Sequence, residues 1–529
     1  MWNGKKIDNG YSEQIMANAP IPRDQYAALA KSFDPEKFDA DAIVALAKAA
    51  GMRFIVVTAK HHDGFAMFET KQSEYNIVAA TPYHRDVVKE LAEACARGGL
   101  KFGVYYSTID WHAPTGSAYI DGNSNPISDA HAAFNVAQLK ELLTGYGPLS
   151  EIWFDMGKPT PEQSKLFTQT VHRLQPQTMV SGRVFNYEGD FTVMGDNEVP
   201  QFAIDEPWQT PASIFADTWG YRSWERRGEV TAKVQEKILE LVTVVSRGGN
   251  YILNIGPEGD GSVVPFEADV LRGVGVWLKS NGDAVFGQGG LPPAASPFRS
   301  LDFGFATVSK DKLYLFVKDA PKDGKLHLPG VSKGVTFGDA YLLAGGAGAS
   351  GKVVMNEGGA EVKAGPLLQS RSAGFMPVVV VPFSGTLKVR SAAIVAATAD
   401  GSLALEAARA DRFMNYNGRG YEDPATTYKL RWEIEARPGR YKVEVHYAKA
   451  EKAGVMDMIA GPERTEISTK AGQGTDVWTG EMTLPRGTNS LELTPKEPFF
   501  KGDRLPVKVE SVQLRPLALT KPPVPQTRK

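Results

Sequence analysis

From about Asp39 to Gly287 the chain alternates short β-rich runs with amphipathic helical patterns, and that alternation limits its fold more than any other feature. Asp41–Ala50 reads as a helix and Arg53–Thr58 as a buried strand. Asp86–Arg97 sets Val87, Val88, Leu91 and Ala94 on one stripe of helical period. The strand Lys101–Tyr106, the helix Ala132–Leu143, the strand Glu151–Phe154, the helix Pro161–Leu174 and the strand Thr178–Gly182 follow. After a Gly-, Pro- and acid-rich interval come the helix Val230–Val245, stopped by Gly248-Gly249, the strand Tyr251–Ile255, the helix Phe266–Lys279 and the short run Ala284–Phe286. Repeated β-then-α units of this length predict an α/β section with a parallel sheet, and their number favours a (β/α) TIM-like barrel over an open sheet. Function in such a fold sits at the C-terminal ends of the strands.

Beyond Gly287 the pattern changes. Gly290-Leu291-Pro292-Pro293 reads as a linker, and short alternating runs follow, with Leu313–Val317, Tyr341–Leu343 and Val378–Val381 the clearest. A second β-rich block holds Tyr428–Ile434, Tyr441–Tyr447 and Leu491–Leu493. The chain thus divides into the barrel over 1–287, a β-sandwich over 288–390, a second β-sandwich over 391–517 and a Pro-rich tail over 518–529. A length of 529 residues agrees with several domains.

A net charge of -2 argues against a dedicated nucleic-acid or membrane-surface binder. No apolar stretch is long enough to span a bilayer, and Met1-Trp2-Asn3-Gly4-Lys5-Lys6 has no signal core. The lone Cys95 lies on a helical stripe as a small buried hydrophobe and excludes an intrachain disulfide.

Read in order, the strand exits give Lys60-His61-His62-Asp63-Gly64-Phe65, Tyr105-Tyr106-Ser107 with Trp111-His112, Trp153-Phe154-Asp155, and Arg183. Two histidines, several aromatics, a carboxylate and a guanidinium converge on one rim. Each has a plainer reading: Asp155 as a turn former, the histidines as strand-end residues bonded to backbone, Arg183 as a counter-charge to Asp155. Histidine and aspartate at strand ends can also ligate zinc, but neighbouring histidines on an extended chain point to opposite faces and make poor joint ligands. A polyol suits the set better, because imidazole, phenol and guanidinium hold donors and acceptors in fixed planes. Aromatic residues, 10% of the chain, suit the apolar face of a pyranose ring as well as ordinary packing.

Taken with Gly248-Gly249-Asn250-Tyr251-Ile252-Leu253-Asn254-Ile255-Gly256-Pro257, Asp217-Thr218-Trp219-Gly220-Tyr221 and Trp277-Leu278-Lys279-Ser280-Asn281-Gly282, these motifs resemble the α-L-fucosidases of glycoside hydrolase family 29. The resemblance covers residues 1–287 strongly and the following sandwich weakly. It implies a retaining exo-glycosidase that removes terminal α-L-fucose from a glycan through a covalent glycosyl-enzyme, needing no cofactor or metal. Asp155 would be the nucleophile, and Glu13, His61, His62, Tyr105, Trp153 and Arg183 would hold the sugar. It also implies a secreted or periplasmic protein.

The chain departs from that pattern in three places. It starts just after the family's usual first barrel strand, so an N-terminally incomplete barrel is expected, with unpaired strand edges. The family's acid/base glutamate is replaced by Gln209, and an amide cannot give up a proton at neutral pH. Glu206 is the expected substitute, with Asp205, Glu198 and Asp217 behind it. Gln14 stands where the family has a tryptophan. Two alternatives stay open: an exo-glycosidase for another fucose-like sugar such as an α-galactoside, or a non-catalytic glycan binder. Residues 391–517, with Trp432, Tyr441, Tyr447 and Trp478, are a candidate carbohydrate-binding module or a structural brace.

Overall fold

A computed structural model describes the chain apart from residues 1, 8–9, 117–124, 200–206, 288–300, 332–333, 346–348, 357, 370–373, 388–393, 415–426, 497–504 and 518–529. The expected linker at Gly290–Pro293 and the Pro-rich tail lie outside the described residues.

The longer helices of the first half of the chain begin where a side chain can satisfy a free N–H. Asp39 caps α1 (Ala40–Ala49) by accepting from Ala42 N at 2.9 Å, and Asp86 caps α2 (Val87–Gly98) by accepting from Lys89 N at 2.8 Å. Ser128 caps α3 (Asp129–Gly145), and Thr160 with Gln163 forms a reciprocal capping box on α4 (Pro161–Leu174). The helices α5 (Val230–Ser246) and α6 (Pro265–Asn281) come later.

Between the helices run two parallel sheets. The first is β1 (Phe54–Lys60), β2 (Lys101–Ser107), β3 (Glu151–Asp155) and β4 (Met179–Val180), adjacent in that order. The second is β5 (Thr192–Val193), β6 (Trp208–Ser213) and β7 (Asn250–Asn254). They meet where Ser181 bridges Phe191 and where Val180 N donates to Asp190 Oδ2 at 2.7 Å. Val104, Tyr106, Ile152 and Phe154 point from β2 and β3 into a core shared with Leu91, Cys95, Leu139 and Phe167 of the helices. Burying each of the larger of these side chains contributes on the order of 1.5–3 kcal/mol. Cys95 is buried as expected, and its thiol is pushed up to about 11 by that burial.

Two features differ from the sequence reading. The Gly-, Pro- and acid-rich interval contains β5 and β6, which the periodicity did not reveal. Residues Gly282–Ala284 form a 3-10 turn, so Ala284–Phe286 is not a strand. Among the described residues the parallel ladders do not close into a ring. β1 pairs only with β2 and β7 only with β6, leaving one open edge on each among the described residues. Behind those edges α1 and α6 are in close contact: a Cβ at Gly275 would lie 1.9 Å from the Ala49 carbonyl oxygen, so only glycine fits.

After residue 301 the sheets are largely antiparallel. Sheets of five and three strands enclose Phe303, Leu315, Leu326, Val362 and Val379. The other face of the five-stranded sheet, with Tyr314, Phe316, Val378 and Val380, packs on Ile238, Val242, Val274 and Trp277 of α5 and α6. Trp277 Nε1 donates to Phe375 O at 3.0 Å across this joint. Sheets of six and four strands surround a third core. Trp432, Tyr441 and Tyr447 belong to that core at 1–2% exposure, so they are not a sugar platform, and Trp478 is half-buried. Among the described residues no helix is long and apolar enough to cross a membrane.

Candidate active site

The chain leaves β3 at a sharp turn directly after Asp155. Met156 has φ +66° and Gly157 φ +79°, and a Cβ at Gly157 would lie 2.6 Å from Thr108 Oγ1. A left-handed non-glycine residue costs on the order of 1–2 kcal/mol, so the surroundings must impose it. Thr108 does so, donating from N to Asp155 O at 2.9 Å and from Oγ1 to Met156 O at 2.5 Å. The strand therefore stops at the carboxylate, which lines a cavity of about 1560 Å³.

Asp155 Oδ2 accepts the Tyr105 hydroxyl at 2.7 Å, and Oδ1 accepts Arg183 Nη1 at 3.1 Å. Burial raises its carboxyl above the ordinary range, Arg183 pulls it down, Asp196 raises it and Tyr105 lowers it. Arg183 sits on the turn after β4 and also donates through Nη2 to Met194 O at 2.9 Å and to Asp196 Oδ1 at 2.6 Å. The guanidinium is thus fixed between two carboxylates. Its plane lies 4.9 Å from the centroid of Trp153, which stacks on Tyr105 at 5.5 Å.

His61 continues the aromatic wall, stacked on Tyr105 at 5.6 Å. The two histidines do not diverge as an extended chain would require. β1 ends at Lys60, and beyond it the backbone turns, bringing the His61 and His62 rings to a centroid distance of 3.6 Å. The expectation of opposite faces fails because the pair lies past the strand. His62 Nδ1 is 2.9 Å from Ser107 Oγ, whose own proton goes to Ile109 O at 3.1 Å. Nδ1 must then carry the hydrogen, leaving Nε2 as an acceptor. Burial, with Lys60 nearby, holds both imidazoles neutral, pushing His61 down to about 3 and His62 well below its usual value.

Glu13 reaches the cavity from the N-terminal segment, where its Oε2 accepts from Trp219 N at 3.2 Å and Gly220 N at 3.1 Å. Burial raises its carboxyl. Asn254 at the end of β7 fixes the same loop by donating to Trp219 O at 2.7 Å. Glu13, His61, His62, Tyr105, Trp153, Asp155 and Arg183 thus line one cavity, together with Gln14. Asp217 does not join them: it is largely exposed and pairs with Arg222 at 2.7 Å. Glu206 and Asp205 lie outside the described residues.

Sequence reasoning missed Asp196, whose only signal was the acid-rich stretch Gly195-Asp196-Asn197-Glu198. It also missed the role of Gln209, a buried residue of β6 that accepts from Trp153 Nε1 at 2.8 Å. Gln209 is part of the wall that orients the tryptophan.

A carboxylate fixed at a strand exit among a guanidinium, neutral imidazoles and stacked rings offers the fixed donors, acceptors and apolar faces that suit a sugar ring. The chain belongs to the α-L-fucosidase family, whose model, described as alpha-L-fucosidase, matches residues 1–283. The tissue alpha-L-fucosidase of Mus musculus is 32% identical over 298 residues, 54% of this chain and 64% of that protein, so the chain spans somewhat under two thirds of that relative. The tissue alpha-L-fucosidase of Homo sapiens is 32% identical over 345 residues, covering 62% of this chain and 71% of that protein. Among solved structures, an alpha-L-fucosidase from Vibrio sp. strain EJY3 is 25% identical with a TM-score of 0.66, covering 96% of this chain and 92% of that one. A family 29 alpha-L-fucosidase from Bacteroides thetaiotaomicron, trapped as a covalent intermediate with 2-fluoro-fucosyl fluoride, is 25% identical with a TM-score of 0.64, covering 73% of this chain and 90% of that one.

Proposed function

We propose that the chain hydrolyses terminal α-L-fucosides of glycans with retention, and that Asp155 is its nucleophile. The observation that carries this reading is the fixing of both Asp155 oxygens, one by Tyr105 and one by Arg183, in the lining of the cavity. A carboxylate held in this way attacks the anomeric carbon as the bond to the leaving oxygen breaks, and water later releases the sugar from the resulting ester. His61, His62, Trp153, Tyr105, Arg183 and Glu13 hold the ring. His62 Nε2, left as an acceptor, accepts a hydrogen bond from a sugar hydroxyl, and the Trp153–Tyr105–His61 wall receives an apolar face. None of these steps uses a cofactor.

We further infer that the parallel strands form the wall of a (β/α) barrel that is open between β1 and β7, followed by two β-sandwich domains. The continuous strand order and the contact of α1 with α6 behind the gap support it. So do the separate cores of the later sheets.

Incubation with 2-fluoro-fucosyl fluoride followed by peptide mass spectrometry tests the assignment. The label is expected on Asp155, and Asp155→Ala should take neither label nor substrate. A label on another carboxylate overturns the assignment, and turnover of aryl α-galactosides in preference to aryl α-fucosides overturns the choice of sugar.

A further inference from the structure

A retaining mechanism needs a second carboxyl group, and we propose that in this chain it is Glu198; the inference rests on the hydrolase reading above. Among the described residues the carboxylates lining the cavity are Glu13, Asp63, Asp155, Asp196 and Glu198. The position of Gln209 is closed to this task in any case, because its side chain is buried in β6 and bonded to Trp153.

Three of the remaining four are already committed. Glu13 accepts two backbone N–H groups on one oxygen and anchors the Trp219–Gly220 loop. Asp63 accepts from Phe65 N at 3.2 Å, and its electrostatic neighbours are Asp110, Tyr26 and Lys60. Asp196 holds Arg183 at 2.6 Å, and that guanidinium in turn holds the nucleophile.

Glu198 is different. Its backbone is pinned: Glu198 N donates to Gly195 O at 3.1 Å, Asn197 N donates to Pro211 O at 2.9 Å, and Thr210 Oγ1 donates to Glu198 O at 3.0 Å. Asn197 takes φ +58°, which turns the next residue back, and the Glu198 carboxyl folds over Gly195, where a Cβ would lie 2.0 Å from Oε2. Yet Oε2 is buried and has no hydrogen-bond partner among the described residues. A pinned turn thus holds Glu198 in the cavity lining, two residues after Asp196, with its Oε2 folded onto Gly195 and unpartnered. A buried polar atom without a partner is costly, and in the protonated acid its O–H would donate to a glycosidic oxygen.

The proton balance is simple. Glu198 gives its proton to the leaving oxygen as the C1–O bond breaks and Asp155 bonds to C1. In the second half, water bonds to C1, its proton returns to Glu198, and the Asp155–C1 electron pair returns to Asp155.

The test compares Glu198→Gln with wild type on aryl α-L-fucosides of good and poor leaving groups. The expected loss is on the order of 10²-fold or more on the poor leaving group and small on the good one, with the alkaline limb of the pH profile removed. Glu198→Ala with added azide should form the fucosyl azide of retained configuration, whereas Asp155→Ala with azide should give the inverted one. An equal loss on both substrates, with no azide product, overturns the assignment. So does leaving-group-dependent loss in Asp196→Asn, Asp63→Asn or Glu206→Gln in place of Glu198→Gln. If wild type neither turns over an aryl fucoside nor takes the 2-fluoro label, the hydrolase reading itself falls; labelling at Asp155 with a silent Glu198 variant sinks only Glu198.

Discussion

Asp155 and Glu151 share one five-residue strand, yet the fold gives their carboxyls different partners. Asp155 at the exit is given a guanidinium and a phenol. Glu151 at the entry is 6% exposed, and burial pushes its carboxyl up to about 7 against a hydrogen bond from Gln209. The native pKa therefore lies above the unfolded value of roughly 4.3, so the native state binds this proton more tightly. The stability it contributes is complete below the unfolded value and is lost as pH rises to about 7. Glu151→Gln, which cannot ionise, should leave the melting temperature at pH 4 nearly unchanged and raise it at pH 8. Melting curves across that range check this, and a variant less stable at pH 8 than wild type contradicts it.

The strands most legible in the sequence were those with unbroken apolar runs. β2, β3 and the helix α4 lie within a residue of where the pattern put them. β5 and β6 were hidden for a physical reason. β5 is only two residues long, and β6 contains Pro211, which ordinarily argues against a central strand. The proline is tolerated because β5 pairs only with Trp208 and Gln209, so no ladder bond is asked of Pro211 on that side. The rim residues were legible from their motifs, whereas their partners were not: nothing local ties Arg183 to Asp196 or Trp153 to Gln209. The joint between α1 and α6 belongs to this scale as well. Gly275→Val would place carbon on the Ala49 carbonyl and should cost about 1–3 kcal/mol in urea unfolding. Unchanged unfolding would show that the helices can separate freely.

At the scale of the molecule, the first antiparallel section is bonded to the back of the parallel one through α5 and α6. A chain ending at Gly287 would leave Ile238, Val242, Val274 and Trp277 uncovered. An apolar face of that kind drives association, so size-exclusion chromatography of this truncation should show oligomers or aggregate, and a clean monomer would contradict it. The α1–α6 contact carries a different consequence, one of order in time. It joins the first helix of the parallel section to the last, which makes it among the most non-local contacts in the section and among the slowest to form. On the ribosome, α1 is made long before α6, so although β1 can pair with β2 and α1 can pack on α2, the end of α1 at Ala49 waits uncovered until α6 has emerged. In the interval between those two moments this end of α1 is open to wrong partners.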